Sequence, residues 1–215
     1  MVVAVVDYGA GNLVSIEQAV AATGGLARIV KRPDELDGAD LLLVPGVGAA
    51  APAMRRLERA GLAGAIVSWI ERGKPFLGIC LGLQLLFESS EEDGARTLGV
   101  IPGRTVRLEG APTLPHIGWN QVELRREHPV FDGVEPGEDV YFVHSYAGVP
   151  VGAGADEWIV GETEHGVRFV SAVARDNVVG LQFHPERSGA VGLRVLANVL
   201  AWAGVRSALG AGASA

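Results

Sequence analysis

The first half of the chain alternates short apolar runs with stretches whose apolar residues recur at helical spacing. The runs that predict buried strands lie at Val2–Val6, 27–30, Leu41–Val44 and 75–79. The stretches that predict helices lie from Leu13 onwards, over 52–72 with a break near Gly61, and over 81–89. Strands that alternate with helices in this way are joined by right-handed crossovers and form a parallel sheet with helices on its faces.

The second half has a different pattern, in which short strand-like runs follow one another with turns between them. These runs lie at 105–108, 121–124, 140–143, 158–161, 169–174 and 178–183, and a last helix is predicted over 188–206. The sequence therefore predicts a single α/β domain over 1–207. Its central sheet is mixed, mostly parallel and flanked by helices, and short antiparallel strands are concentrated in the second half. The glycine- and alanine-rich segment 208–215 has nothing to bury and is predicted to be a flexible tail.

The charge balance and the cysteine count exclude several classes of protein. The chain has 18 Lys and Arg residues against 25 Asp and Glu residues, a formal net charge of −7, whereas a nucleic-acid-binding domain normally carries a basic face. A single cysteine rules out an intramolecular disulfide framework and a zinc site made of several thiolates. The apolar start of the chain is interrupted at Asp7, and no run reaches the length of a membrane span. We therefore expect a soluble, cytoplasmic protein with no nucleic-acid or membrane partner.

The single cysteine lies in a pattern that is typical of a catalytic nucleophile. Cys80 lies between an apolar strand and a predicted helix, with Gly78 two residues before it and Gly82 two residues after it. This is the pattern of a nucleophile elbow, in which a tight strand-to-helix turn exposes one side chain and glycines let the neighbouring backbone pass close by. The partial positive charge at the start of a helix favours the thiolate, and the amide of Leu81 can face a developing oxyanion.

His184 is the best candidate, among the five histidines, for the base that acts on this thiol. It directly follows a predicted strand, and on an extended backbone Glu186 points to the same side and can set the tautomer of the imidazole. The other four histidines lie in turn-like segments or lack a carboxylate two residues further on: His116, His128, His144 and His165. No pair of histidines has the spacing of metal ligands on a helix, so no metal site is expected. No cofactor is predicted either.

The catalytic pattern and the motifs around it resemble one family of enzymes. Cys80, His184 and Glu186 resemble the triad of the class I glutamine amidotransferases. The remaining motifs are similar to those of the glutaminase subunits of imidazole glycerol phosphate synthase, an enzyme of histidine biosynthesis. They are Asp7-Tyr8-Gly9-Ala10-Gly11-Asn12-Leu13, Pro45-Gly46-Val47-Gly48, the run 78–84, Ser90-Glu91-Glu92, Pro115-His116-Ile117-Gly118-Trp119-Asn120, Tyr141-Phe142-Val143-His144-Ser145-Tyr146 and the run 182–189. They follow the family's order and extend over nearly the whole chain.

The resemblance implies a reaction and a role for each matching residue. The family hydrolyses L-glutamine to L-glutamate and ammonia: the cysteine attacks the side-chain amide to form a γ-glutamyl thioester, and the histidine protonates the leaving ammonia. By resemblance, the backbone amides of Val47 and Leu81 stabilise the oxyanion, in some states only after a peptide flip. The residues that match glutamine-binding positions of the family are Gly48, Gln84, Glu92, Ser145 and Tyr146.

The resemblance also implies a protein partner. The family passes its ammonia to a cyclase subunit, with which it forms a heterodimer and which makes imidazole glycerol phosphate and aminoimidazole carboxamide ribotide. The residues that match interface positions are Asn12, Trp119, Asn120, Tyr141 and Arg187. Two residues depart from the family pattern. Arg187 replaces the usual lysine and changes the geometry of an ion pair with the partner, and Ala51 replaces a common aromatic and removes packing area near the oxyanion segment.

Three other hypotheses fit part of the pattern. The glutaminase of another triad amidotransferase, serving pyridoxal phosphate, purine, anthranilate or folate synthesis, shares the triad but lacks the motifs of the histidine-pathway group. A dinucleotide-binding fold would use Gly9 and Gly11, but Val14 occupies the position of its third glycine. A catalytically silent scaffold that regulates a partner would not need an intact triad.

Overall fold

The computed structural model describes residues 1–212 of the chain, with side chains described through Arg206. The strands are β1 (Val2–Val6), β2 (Leu26–Val30), β3 (Leu41–Val44), β4 (Phe76–Ile79), β5 (Phe87–Ser90), β6 (Ile101–Arg107), β7 (His116–Gln121), β8 (Glu123–Leu124), β9 (Asp139–His144), β10 (Tyr146–Pro150), β11 (Ile159–Glu164), β12 (Arg168–Arg175) and β13 (Val178–Leu181). The helices are α1 (Leu13–Ala22), α2 (Ala50–Arg59), α3 (Leu62–Glu71), α4 (Leu81–Gln84), α5 (Ala155–Trp158) and α6 (Gly189–Gly212), and short 3-10 helices lie at Pro33–Leu36, Pro129–Phe131 and Pro185–Arg187. Within this described part, no helix is long and apolar enough to cross a membrane.

The largest sheet is mixed, as the sequence predicts. Its strand order is β2-β1-β3-β4-β13-β12-β11-β8. Neighbours are parallel from β2 to β13 and antiparallel from β13 to β8. Two smaller sheets consist of β10-β6-β5 and of the antiparallel pair β7-β9. The predicted fold class, an α/β domain with a mostly parallel central sheet and short antiparallel strands in the second half, is confirmed.

Helices cover both faces of the parallel part of this sheet. Val3 and Val5 of β1 pack in one apolar cluster with Ile16 of α1 and with residues of α6. Ala4 and Val6 point to the opposite face, where they pack with residues of α2 and α3. Both faces of the parallel strands are therefore buried, which explains why these strands are uninterrupted apolar runs in the sequence.

Parallel pairing brings the carboxyl ends of the central strands to one edge of the sheet. Val44 at the end of β3 pairs with Gly78 of β4, and β4 pairs in parallel with β13 on its other side. The segments that leave these ends carry the residues at 45–48, Cys80 and His184. Chemical groups that are far apart in the chain therefore meet at this edge, where open α/β sheets usually place their sites.

The prediction of one helix over 81–89 is wrong. The helix α4 ends at Gln84, and β5 begins at Phe87, which pairs in parallel with Ile101 of β6. Every residue from 81 to 87 is buried, so the apolar spacing of this run does not mark a single helical face. A run that is buried on all sides is compatible with helix or strand, and here the pairing with β6 selects the strand.

Other differences lie in the second half of the chain. The run 121–124, predicted as one strand, is divided between the end of β7 and the short β8, and β10 is absent from the predicted strands. The last helix, α6, continues to Gly212 and so includes part of the segment 208–215 that the sequence predicts to be a flexible tail. Residues 213–215 of that tail lie outside the described residues.

Candidate active site

Cys80 lies at a sharp turn between β4 and α4. Its φ is 52° and its ψ is −106°, a conformation that L-residues rarely adopt and that costs about 1–3 kcal/mol. The flanking glycines make the turn possible, because a Cβ at Gly78 would lie 2.6 Å from the carbonyl oxygen of Gly82. A Cβ at Gly82 would in turn overlap the carbonyl oxygen of Val44 in β3. The nucleophile elbow that the sequence predicts is therefore the observed geometry of this turn.

The sulfur of Cys80 is almost completely buried and has polar neighbours from two other strands. The side chain of Gln182, directly after β13, donates from Nε2 to the sulfur at 3.5 Å, and the carbonyl oxygen of Val143 in β9 lies 4.0 Å away. The sequence predicts that a helix N-terminus stabilises the thiolate, but α4 is only 4 residues long and its dipole is correspondingly small. The amide of Gln182 is a donor that the sequence did not predict.

His184 and Glu186 form a buried pair beside this sulfur. Nδ1 of His184 lies 2.8 Å from Oε1 of Glu186, and both side chains are about 95% buried. Nε2 of His184 is buried and has no hydrogen-bond partner among the described residues. Burial by itself lowers the pKa of His184, but the interaction with the nearby Cys80, the hydrogen bond to Glu186 and the negative charges of both groups raise this pKa to about 10. The imidazole is therefore cationic at neutral pH, and a cation next to the sulfur favours the thiolate.

The backbone amide predicted as the first oxyanion donor already has an acceptor. The N–H of Leu81 donates to the carbonyl oxygen of Gly46 at 3.3 Å. The next residue, Val47, is 48% exposed, so its side chain does not anchor the segment in the core. The amide of Leu81 is therefore occupied by the chain itself in this conformation, and a rotation of the peptide between Gly46 and Val47 would free it.

The segment at 45–48 is held at its start and bordered by free space. The hydroxyl of Tyr8 donates to the carbonyl oxygen of Pro45 at 2.8 Å, and a Cβ at Gly46 would overlap this hydroxyl. A cavity of about 60 Å³ lies between this segment and the triad residues His184 and Glu186. Glycine at position 46 is therefore a packing requirement, and the cavity leaves room for backbone rotation.

Three of the five residues predicted to bind glutamine are Gln84, Ser145 and Tyr146, and a hydrogen bond joins Gln84 to Tyr146. Gln84 is buried and donates from Nε2 to the carbonyl oxygen of Tyr146 at 2.8 Å and to Oε1 of Gln182 at 3.1 Å. The carbonyl oxygen of Ser145 accepts a hydrogen bond from the amide of Leu108 at 3.0 Å. The side chain of Gln84 is thus a part of the site's framework and not an exposed helix residue.

The other two predicted glutamine-binding residues lie on exposed segments. Glu92 is in the turn after β5, where burial and the charge of Asp93 raise the pKa of its carboxyl. Asp93 accepts a hydrogen bond from the amide of Ala51 at 2.6 Å and so connects this turn to the start of α2. Gly48 has a φ of 104° and no atom near its missing Cβ, so a side chain there would be strained by backbone conformation and not by crowding.

Three histidines outside the predicted triad, His116, His144 and His165, form a cluster next to the site. The rings of His116 and His165 stack at 4.1 Å between centroids, and Nδ1 of His116 lies 3.3 Å from Nε2 of His144. Burial is the main cause that lowers the pKa of His116 to about 4 and that of His144 to about 3. Among the described residues, no group of three His, Cys, Asp or Glu side chains is arranged to hold a metal ion. His116 and His144 are therefore neutral at physiological pH and are hydrogen-bonded to each other.

The buried His144 gives a prediction for stability at acid pH. Its pKa is 6.5 in the unfolded chain and about 3 in the fold, so below pH 6.5 the unfolded chain binds the extra proton and the free energy of unfolding falls as the pH falls. We expect His144→Asn to reduce the slope of unfolding free energy against pH by about 1.4 kcal/mol per pH unit between about pH 6 and pH 4.5. Urea unfolding of both proteins across this range measures the slopes. Equal slopes would show that His144 is protonated as easily in the fold as in the unfolded chain.

The predicted interface residues are divided between exposed and inward-pointing positions. Trp119 of β7 is 56% exposed and packs edge-on against the ring of Tyr141. The guanidinium of Arg187 lies over the same ring, 4.0 Å from its centroid. Asn12 is exposed and caps α1 by accepting a hydrogen bond from the amide of Ser15. Asn120 differs from these residues, because its side chain is directed into the chain.

A search for related proteins identifies one family. The model of the family described as "Glutamine amidotransferase class-I" matches residues 4–201. The "Imidazole glycerol phosphate synthase subunit HisH" of Syntrophotalea carbinolica is 45% identical over 204 residues, covering 91% of this chain and 98% of that protein. The protein of the same name from Aquifex aeolicus is 47% identical over 197 residues, covering 90% of this chain and 93% of that protein.

Longer relatives and solved structures agree with this result. The "Imidazole glycerol phosphate synthase hisHF, chloroplastic" of Arabidopsis thaliana is 48% identical over 202 residues. This match covers 93% of the present chain but only 34% of the plant protein. A structure of PurLQS from Thermotoga maritima has a TM-score of 0.72 at 23% identity, covering 94% of this chain and 98% of that one. A crystal structure of a glutamine amidotransferase has a TM-score of 0.74 at 19% identity, with the same coverage. At these identities the solved structures support the fold alone.

Proposed function

The chain belongs to the class I glutamine amidotransferase family, in the group of its HisH relatives, and we propose that it is the glutaminase subunit of an imidazole glycerol phosphate synthase. In this proposal it hydrolyses L-glutamine to L-glutamate and ammonia and delivers the ammonia to a separate cyclase subunit in the cytoplasm. The observation that carries the catalytic part is the pairing of a strained, buried cysteine with a cationic His184 that is held by Glu186.

The geometry supports a covalent mechanism with a balanced transfer of protons. The thiolate of Cys80 attacks the amide carbon of the glutamine side chain, and the carbonyl electrons move onto oxygen. The imidazolium of His184 donates its Nε2 proton to the amide nitrogen, the carbon–nitrogen bond breaks, and ammonia leaves a γ-glutamyl thioester. Neutral His184 then takes a proton from water, whose oxygen attacks the thioester; the carbon–sulfur bond breaks to return the thiolate, and the γ-carboxylic acid of glutamate loses its proton to the ammonia or to solvent. Glu186, at 2.8 Å from Nδ1, keeps the ring orientation through both steps.

The role of the oxyanion segment follows from its present hydrogen bond. Removing the Gly46 carbonyl oxygen from the N–H of Leu81 frees one donor, and rotation of the same peptide turns the N–H of Val47 towards the site. Both donors would then face the oxygen of the tetrahedral intermediate. We therefore assign the two amides to the oxyanion hole of an activated state.

The face that would receive the cyclase lies around the exposed aromatic residues of β7. Trp119 and Ile117 are 56% and 60% exposed, which is unusual for such large apolar side chains and is typical of a protein interface. Arg187 extends this surface to within three residues of the catalytic His184 and stacks on Tyr141. Stacking fixes the plane of the guanidinium, so this position would present two parallel N–H donors to a carboxylate of the partner, which a lysine could not do.

Reconstitution tests the function directly. We expect the chain, mixed with the cyclase subunit of a HisH relative and its nucleotide substrate, to release glutamate from glutamine and to support formation of the imidazole product. The same chain should not support the synthases for pyridoxal phosphate, purine, anthranilate or folate. Glutamate release with one of those partners, and none with the cyclase, would assign the chain to another amidotransferase.

A further inference from the structure

A continuous series of hydrogen bonds connects β7 with the nucleophile. It begins at Asn120, whose Nδ2 donates to the carbonyl oxygen of Glu164 at 2.9 Å and lies 3.3 Å from Nε2 of His116. Because Oδ1 of Asn120 accepts the amide of Gln121, the orientation of the Asn120 side chain is settled. Its nitrogen therefore faces His116, and Nε2 of this histidine must be an acceptor.

The orientation of Asn120 determines which atoms donate in the next two hydrogen bonds of the series. A neutral His116 that accepts at Nε2 carries its proton on Nδ1 and donates it to Nε2 of His144 at 3.3 Å. His144 then carries its own proton on Nδ1, which lies 2.9 Å from the carbonyl oxygen of Tyr146. A carbonyl oxygen can only accept, so the tautomer required at this end agrees with the one deduced from Asn120. Both histidines are thus neutral donors that point towards the active site.

The same carbonyl oxygen settles the orientation of the two glutamine side chains. Gln84 reaches the Tyr146 oxygen at 2.8 Å and must present its nitrogen there. A second hydrogen of that nitrogen goes to Gln182 at 3.1 Å, so the atom of Gln182 that faces Gln84 is the oxygen. The nitrogen of Gln182 consequently faces the sulfur of Cys80 at 3.5 Å. The Tyr146 carbonyl thus sets the orientation of both glutamine side chains.

We propose that Gln182 donates a hydrogen bond to the thiolate of Cys80 during catalysis, and that the His116–His144 pair, acting through the Tyr146 carbonyl and Gln84, keeps this donor directed at the sulfur. The assignment deepens the proposed function, since it concerns the nucleophile of the same reaction. Gln182 is completely buried, and its side chain donates to Cys80 and accepts from Gln84. A buried donor matters here because α4 is too short to stabilise the thiolate by its dipole. Gln182 acts on the reacting atom, and the two histidines are positioning residues.

The first test measures the thiolate itself. The protein has one cysteine, so the ultraviolet absorbance of thiolate, taken as the difference from Cys80→Ser, reports on Cys80 alone. We expect Gln182→Leu to lower the ratio of thiolate to thiol at neutral pH about tenfold and to slow alkylation by iodoacetamide by a similar factor. In complex with the cyclase the same variant should lower kcat and leave KM within about twofold, because the lost group contacts the sulfur and not the substrate.

Asn177 supplies a matched control. It lies directly before β13, at the opposite end of the strand from Gln182, and its buried amide donates to the carbonyl oxygens of Ile70 and Lys74. Asn177→Leu therefore removes a buried amide from the other end of β13, at a position that makes no hydrogen bond with the candidate site. It should lower thermal stability and leave the thiolate ratio unchanged. A native melting transition and a wild-type thiolate ratio in Gln182→Leu would overturn the proposal.

A second pair of variants tests the positioning residues and decides the question if Gln182→Leu does not fold. His144→Phe keeps an aromatic ring among Phe142 and Phe169 but removes both hydrogen bonds, whereas His144→Asn keeps a donor that can reach the Tyr146 oxygen. We expect the thiolate ratio to fall about threefold in His144→Phe and to stay near the wild-type value in His144→Asn. Equal ratios in both variants would contradict the positioning role. These measurements need neither glutamine nor a partner, so a chain that fails to hydrolyse glutamine would refute the proposed function and leave this result standing.

Discussion

Replacing Cys80 with serine should lower the rate of glutamine hydrolysis in the complex by about 10⁴-fold or more. The thiol of Cys80 can lose its proton next to the cationic His184 and act as an anionic nucleophile, whereas an alcohol in its place stays protonated at neutral pH. Serine is close in size to cysteine, so the elbow and the packing around it should be retained. Glutamate release measures the effect, and thermal unfolding shows whether the fold is intact.

The control for this variant is the use of free ammonia. A complex that contains Cys80→Ser should still make the imidazole product when an ammonium salt replaces glutamine, because the salt supplies directly the ammonia that the proposed glutaminase step would deliver. Loss of both activities would point to a failure of assembly. Glutamine turnover within tenfold of the wild type would mean that Cys80 is not the nucleophile.

The second large effect concerns activation by the partner. Because the Gly46 carbonyl occupies the N–H of Leu81, we expect the isolated chain to hydrolyse glutamine slowly. Binding of the cyclase with its nucleotide ligand should raise the rate about 10²- to 10³-fold, the usual contribution of an oxyanion donor. Val47→Pro should remove most of this increase, because proline has no backbone N–H to donate after the peptide has rotated.

Val47→Ala is the matched control for this experiment. It shortens a half-exposed side chain and keeps the N–H, so activation by the partner should remain. Rates of glutamate release with and without the liganded cyclase, measured for both variants, separate the amide from the side chain. Full activation of Val47→Pro, or an equally high rate of the wild type with and without the cyclase, would contradict the assignment of Val47 to the oxyanion hole.

Much of the fold could be predicted from the sequence because the parallel strands are uninterrupted apolar runs. Four of them coincide with β1 to β4, and Gly61 correctly separates α2 from α3. The prediction fails over 81–89, where burial on all sides removes the difference between helical and strand spacing. It also misses β10, which pairs with β6 through residues that are far apart in the chain.

The candidate site likewise contains residues that could be predicted from the sequence and residues that could not. Cys80 was predictable because glycines on both sides of a strand-to-helix turn are a local signal, and Glu186 because it lies two residues from His184 on extended backbone. Gln182 gave no such signal. Its position in the run before His184 predicts a strand residue, and nothing in that run indicates that its side chain reaches a sulfur 102 positions earlier.

Local patterns in the chain were thus sufficient for the sheet edge, the elbow and the pairing of His184 with Glu186, because each depends on the conformation of a few consecutive residues. The donor to the sulfur, the tautomers of His116 and His144, and the hydrogen bond that occupies the Leu81 amide depend on how distant segments pack against one another. Their partners are separated by between 28 and 102 positions in the chain, apart from the bond between His144 and Tyr146 and that between His116 and Asn120. Hydrogen-bond direction in a buried site is set by all of the groups that surround it, so it appears only when the whole domain has folded.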